Sequence, residues 1–506
     1  MFMHRIVSAR PRGQVTRREC GSSLVATVFA AALCTATAAR AALPAGAMPA
    51  NPALTAPMVP TTTLAQAAPA PAPVTAPATA PAPAEAAPAD PFAFADWTWL
   101  NGNPRQKTPA FDSQLFTLEL RVDTSLVHSF NNPKDHTDTG SAEIGRVDEL
   151  QLQQFGIGGD FHWHDVRARL MTQFGVYSEL TPRNDASPAR GQFNLADMYR
   201  YISEAYGGYH IHVLHGINID AGIFMSYVGL FSYYNYDNWA YLPSYLSSNT
   251  PWFFEGVRIQ IFPTDRLKIE PWIINGWQSY GVFNNMPGLG FQILWRPTEY
   301  ISLLSNDYFG TDTLANPGQY RVHTDNSATV KYYENPNSPL DRLAFSLTAD
   351  FGCETGGGAT CNSAQKTGEL FSGVMLYNRF WFNHDMFGLT LGGGWITNPG
   401  LYLSIIPAIN GATAAAPPPQ DYFNTSPGRQ FQAWDCSLTF DYMPVEEITF
   451  RFETGYRQAN IPYFAGPNGI TPPGGNNGNP TADVPDWKPD LVNSEARVSL
   501  ALMVKL

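Results

Sequence analysis

From Leu115 to the C-terminal Leu506, apolar residues return at every second position in one segment after another. That period sends successive side chains to opposite faces of an extended strand. In Phe116-Thr117-Leu118-Glu119-Leu120-Arg121-Val122-Asp123 one face is apolar, and the other carries Glu119, Arg121 and Asp123. Val166, Ala168, Leu170, Thr172, Phe174 and Val176 alternate with Arg167, Arg169, Met171 and Gln173. The pattern repeats with Val257, Ile259 and Ile261 against Arg258 and Gln260, and with Ile448, Phe450 and Phe452 against Thr449, Arg451 and Glu453. About sixteen such segments can be counted between Leu115 and Leu506. Those around 199–210 and 326–334 are weak, which makes 14–18 the range.

The links between segments carry a second regularity. After even-numbered segments they are short, at 160–165, 263–266, 296–299, 383–385 and 443–447. After odd-numbered ones they are long, at 131–146, 179–198, 227–252, 310–325, 352–369, 398–429 and 458–490. Short turns on one side and long loops on the other are the asymmetry of an outer-membrane barrel. A soluble β-protein has no reason to alternate this way. Composition agrees: charged residues make up 15% of the chain, below the roughly 25% of soluble domains, while aromatics reach 13%. Beyond residue 42 no run of 18 apolar residues could cross a membrane as a helix. The expected fold is therefore all-β: a transmembrane, antiparallel, up-and-down barrel over 115–506, apolar outside and polar within.

The first 41 residues read as a secretion signal. Arg5, Arg10, Arg12, Arg17 and Arg18 precede a small-apolar stretch, and Ala39-Arg40-Ala41 or Ala36-Thr37-Ala38 supplies the cleavage site. Arg17-Arg18 lacks the apolar residues a twin-arginine signal needs next, and Leu33 before Cys34 does not fit a lipoprotein box. Residues 42–91 are nearly all Ala, Pro and Thr and cannot bury a core, so they read as an extended periplasmic linker. Residues 92–114 form a short lead-in that starts with an aromatic knot at 92–100 and is expected to pack in the periplasmic mouth. Without the first 41 residues the chain has 25 basic and 42 acidic residues, a net charge of −17, which excludes a generic nucleic-acid binder.

Several groups of residues could carry function. Glu119, Arg121, Asp123, Arg167, Arg169, Arg258, Lys268, Glu270, Arg451, Glu453, Arg457 and Arg497 share the face expected to line the pore. They would either set a transverse field that selects solutes by charge or pair across strands and solvate a wide lumen. Loop 227–252 holds Tyr233, Tyr234, Tyr236, Trp239, Tyr241 and Tyr245. Folded inward these rings would constrict the pore, and left outside they would join an interfacial aromatic girdle. Cys353 and Cys361 bracket a Gly-rich stretch in an oxidising compartment and are candidates for a disulfide, whereas Cys436 reads as a small lipid-facing residue. His162 and His164 make a poor two-ligand metal site and a good interfacial turn. No G-x-S-x-G or H-E-x-x-H occurs, so neither an enzyme nor a cofactor is expected.

The run Ile217-Asn218-Ile219-Asp220-Ala221-Gly222-Ile223-Phe224-Met225-Ser226-Tyr227-Val228-Gly229 resembles the β-barrel porin-2 family, described as OmpL-like. Asn238-Trp239, Pro243-Ser244-Tyr245, Gly256-Val257-Arg258 and Asn275-Gly276-Trp277 resemble it as well. The similarity spans about 110–506 and is densest at 200–310. It implies an outer-membrane barrel of porin type and says little about the solute. The 398–429 and 458–490 links are longer than that family usually keeps, so nothing about gating is carried over.

The function expected is passive diffusion of small hydrophilic solutes, with a non-conducting structural or surface-binding barrel as the alternative. The partners are outer-membrane lipid, those solutes and the barrel assembly machinery, with a homotrimer as the oligomer to test. Val498, Leu500, Leu502, Val504 and Leu506 alternate with Arg497, Ser499, Ala501, Met503 and Lys505, and the chain stops on the apolar phase. Such a final strand is expected to close on 115–130, with Arg497 and Lys505 toward the lumen.

Overall fold

A computed structural model of the protein describes residues 89–506 apart from 142–143, 183–184, 186–190, 314, 363–367, 401, 404–430 and 472–488. The secretion signal, nearly all of the linker, and the centres of the 398–429 and 458–490 links lie outside the described residues.

The strands run in order through β1 (Phe116–Ser129), β2 (Leu150–Trp163), β3 (Val166–Thr172), β4 (Ile202–Ile211), β5 (Ile217–Met225) and β6 (Phe253–Thr264). They continue through β7 (Leu267–Ile274), β8 (Gly288–Thr298), β9 (Ile301–Gly310), β10 (Tyr320–Glu334), β11 (Leu340–Thr355) and β12 (Leu370–Phe382). The last are β13 (Phe387–Asn398), β14 (Phe431–Val445), β15 (Ile448–Ala459), β16 (Phe464–Ala465), β17 (Leu491–Val492) and β18 (Ser494–Lys505). Each strand from β1 to β15 pairs antiparallel with the next, and β18 pairs with both β15 and β1, closing a barrel of sixteen strands. β16 and β17 form a separate two-stranded sheet.

The alternation sets which side chains go where. On β1, Arg121, Asp123 and Ser125 are buried inside, while Leu126 is exposed on the outside. One rung across four strands, Leu126–Leu500–Phe452–Phe440, places four apolar side chains on the outer wall. A soluble sandwich would bury those residues; here the polar set is inside and the apolar set outside, which is the membrane-barrel inversion.

Eight long links leave one rim and seven short ones the other. Two of them differ from the sequence reading. β10 begins at Tyr320, so the link expected at 310–325 shortens to 311–319. A further long link, 275–287, separates β7 from β8. Its Trp277, Tyr280 and Phe283 are buried, and these apolar rings break up its polar run in the sequence. β10 reads weakly because its outward row contains Thr324, Asn326 and Ala328 where other strands have large apolar residues.

Candidate functional site: the barrel interior

The long link after β5 does not stand above the barrel. Residues 226–252 turn inward, and Tyr233, Tyr234, Tyr236, Trp239, Tyr241 and Tyr245 are each 7% exposed or less. The wall formed by β1, β18, β15 and β14 holds this loop through charged side chains. Glu453 accepts the backbone N–H groups of Tyr241 at 2.7 Å and Leu242 at 3.1 Å, together with the Thr439 hydroxyl at 2.7 Å. Asp123 accepts the Tyr241 hydroxyl at 3.0 Å and the Asn235 amide at 3.2 Å. Asp435 accepts the Ser244 hydroxyl at 2.8 Å and the Tyr245 N–H at 2.9 Å, just where a helical turn, Tyr245–Ser248, begins.

Cations complete the seat. Arg121 pairs with Asp237 at 3.1 Å and also with Glu119. Arg451 grips Asp441 through Nε at 2.6 Å and Nη2 at 3.0 Å, then donates to the Asn238 carbonyl at 2.7 Å. Bidentate guanidinium–carboxylate bonds are among the strongest polar contacts a protein makes. Burial, with Asp123 beside it, pushes the Tyr241 phenol well above its usual range, so it remains a donor.

The segment ahead of β1 enters from the other rim. Its Phe92 N–H donates to the Asp265 carbonyl in the β6–β7 turn, and Arg296 lies over the rings of Phe92 and Trp97. Trp99, Leu100 and Asn101 are buried. Loop and segment meet inside the barrel: Trp239 donates its backbone N–H to Asn101 Oδ1 at 2.9 Å and its indole N–H to the Trp99 carbonyl at 3.2 Å. Gly102 adopts φ +79°, and a Cβ there would lie 2.4 Å from the Leu230 carbonyl oxygen, so only glycine permits this approach.

With the loop seated against one wall, space remains along the opposite one. A cavity of about 300 Å³ lies between the loop and the inner face of β8, β9 and β10. Gln292, Ser302, Ser327 and Thr329 line its wall side, and Tyr227 and Tyr233 its loop side. Among the described residues Arg296 is its one formally charged lining residue, and it lies over the two rings named above.

The twelve ionisable residues expected on the pore face sit in different settings. Asp123, Arg451 and Glu453 lie under the loop, and Arg121 is tied to it. Glu119 and Arg169 join Glu204 and Asp160 in one ion-pair network. Arg167 and Arg258 both pair with Asp220, and Lys268 pairs with Glu270 at 2.8 Å. Arg457 and Arg497 reach Asp138 of the link after β1 at 3.0 and 2.9 Å, and Arg457 also holds Glu495. Burial raises the Asp138 carboxyl, as does the nearby Glu495, while the two guanidiniums oppose that rise.

Sequence reasoning missed Asp138 and Asp237, which lie in links, and Asn101, which lies ahead of β1, all without periodicity. It also passed over Asp435 and Asp441, whose alternation on β14 matches that of the residues it chose. Cys353 and Cys361 are joined as a disulfide, with Cα atoms 5.5 Å apart, and Cys436 is free and exposed. The His162 ring bonds to the Ser113 carbonyl at 3.0 Å.

Among solved structures the chain is similar to OmpT of Vibrio cholerae in its trimer form, at 9% identity and a TM-score of 0.44, covering 78% of this chain and 100% of that one. It is similar to the outer-membrane channel DcaP of Acinetobacter baumannii at 14% identity and 0.43, covering 79% and 100%. It is also similar to an anion-selective porin from Comamonas acidovorans at 9% and 0.41, covering 77% and 99%. No curated protein matches the chain. The model of a family described as "Putative beta-barrel porin-2, OmpL-like" matches residues 116–504. Matched over that span, the chain belongs to this family of bacterial outer-membrane barrels.

Proposed function

We propose that the protein is a passive channel for small hydrophilic solutes, that these pass between loop 226–252 and the β8–β10 wall, and that uncharged ones are preferred. The observation that carries this reading is the division of the interior. Glu453, Asp123, Asp435 and Arg451 are occupied in holding the loop. The remaining cavity presents hydroxyls, an amide and aromatic rings. Such a lining exchanges hydrogen bonds with a hydroxylated solute and stacks on its flat faces. Apart from Arg296, which lies over Phe92 and Trp97, it offers a free ion no counter-charge to replace its hydration.

Reconstitution in planar bilayers tests the channel, and swelling of liposomes in isosmotic uncharged or charged solutes of matched size tests the preference. Discrete current steps, with faster swelling in the uncharged solutes, are expected. No steps above background, together with no swelling in any solute, would overturn the channel in favour of a non-conducting barrel closed by its loop and its N-terminal segment. Faster entry of charged solutes would overturn the preference alone.

A further inference from the structure

Every other arginine on the barrel strands pairs with a carboxylate, as Arg258 does with Asp220 at 3.0 Å and Arg321 with Glu354 at 2.6 Å. Arg296, near the end of β8 at the rim of short turns, is the exception. Among the described residues no carboxylate pairs with its guanidinium, and its buried Nε has no acceptor. Its Cζ lies instead 4.8 Å from the centre of the Phe92 ring and 4.5 Å from that of Trp97. Both rings belong to the segment ahead of β1, which also supplies Asn101 and Gly102 to the same cavity.

A cation withdrawn from water is costly unless something compensates it, and ring faces do so through their quadrupole. They carry no net charge, so the guanidinium keeps its whole charge and is only denied contact with solute. The Trp97 indole N–H donates to the Phe92 carbonyl at 2.8 Å, which makes the two rings one unit. Hydrogen bonds from Phe92 N–H to the Asp265 carbonyl at 2.7 Å and from the His215 ring to the Ala89 carbonyl at 2.8 Å tie that end to the wall. Before Ala89 the chain is the Ala- and Pro-rich stretch, so whatever engages that stretch acts on the rings first. We propose that Arg296 is the charge-selecting residue of the channel and that residues 92–97 are its cover. Seated, they keep the route neutral; lifted, they present a guanidinium fork that fits small carboxylate or phosphate solutes, which then pass preferentially. This rests on the channel reading above.

The test uses the full chain and two readouts. Phenylglyoxal, which adds to accessible guanidinium groups, is applied to the folded, heat-modifiable protein in detergent, and the peptide carrying Arg296 is read by mass spectrometry. Phe92→Ala with Trp97→Ala is expected to raise modification of Arg296 several-fold over the wild type, whether or not the barrel conducts. In planar bilayers under a salt gradient the same double variant is expected to move the reversal potential toward anion preference. Adding Arg296→Gln is expected to cancel that shift. The inference is overturned if Arg296 is modified equally with and without the rings, or if the double variant conducts with the wild-type reversal potential. A shift that survives Arg296→Gln overturns it as well. Absence of current from wild type and variants alike overturns the channel reading, and the selecting role with it, whereas the modification result still decides whether the rings cover Arg296. Should the double variant not fold, Trp97→Ala alone is read in the same way.

Discussion

Leu506 and Leu120 exchange two backbone hydrogen bonds, each 2.9 Å, so the last residue of the chain forms a rung of the barrel closure. Each such bond is worth about 1 kcal/mol net, and both are lost if the chain ends one residue earlier. Deleting Leu506 is expected to lower the amount of heat-modifiable barrel in outer membranes, read on unboiled gels. Undiminished levels would show that closure does not need this rung.

Glu453 is the main anchor of the inward loop. Glu453→Leu leaves the Tyr241 and Leu242 N–H groups buried without an acceptor, at about 1–3 kcal/mol each. The loop should then leave its seat more often, and single channels should show larger and noisier currents. Unchanged conductance and noise would mean the loop is held elsewhere.

Asn101 ties the N-terminal segment to the loop through the Trp239 N–H. Asn101→Ala removes one acceptor and should raise open-channel noise less than Glu453→Leu does, because the indole bond to the Trp99 carbonyl survives. A larger effect than that of Glu453→Leu would reverse the order of the two anchors.

Ser302 lines the proposed route without a charge. Ser302→Asp should move the reversal potential in a salt gradient toward cation preference and slow the entry of anionic solutes. No shift would place the route elsewhere in the barrel.

Asp312, in the link after β9, titrates in a useful range. Burial pushes it up to about 6 against the attraction of Arg321 and hydrogen bonds from the Tyr308 hydroxyl and the Trp277 N–H. A carboxyl whose docked pKa exceeds its free value binds its proton more tightly when docked. Docking of this link to 275–287 therefore strengthens as pH falls from about 6 toward 4, and that contribution is lost above 6. Protease cleavage in 311–319 should be slower at pH 5 than at pH 7.5, and Asp312→Asn should flatten the difference. Faster cleavage at the lower pH would contradict the sign.

Which parts could be read in advance follows from how each residue is constrained. The inward positions of Arg121, Arg451 and Glu453 were legible because a period of two forces them there once their neighbours face lipid. Asp138 and Asp237 were not, because a link carries no period and its partners arrive from strands more than a hundred residues away. The outward row of β10 was misleading: Thr324 and Asn326 weaken the alternation, and part of a long strand read as a loop.

By itself the sequence determined the barrel: alternation dictates two opposite faces, the asymmetry of the links dictates up-and-down connection, and the final amphipathic strand dictates where closure occurs. Only the tertiary structure decided what fills that barrel. A carboxylate such as Glu453 serves equally well lining water or seating a loop, and strand periodicity is the same in both cases. The difference lies in whether the Tyr241 and Leu242 N–H groups arrive within hydrogen-bonding distance, and that depends on how the whole ring places one wall opposite another.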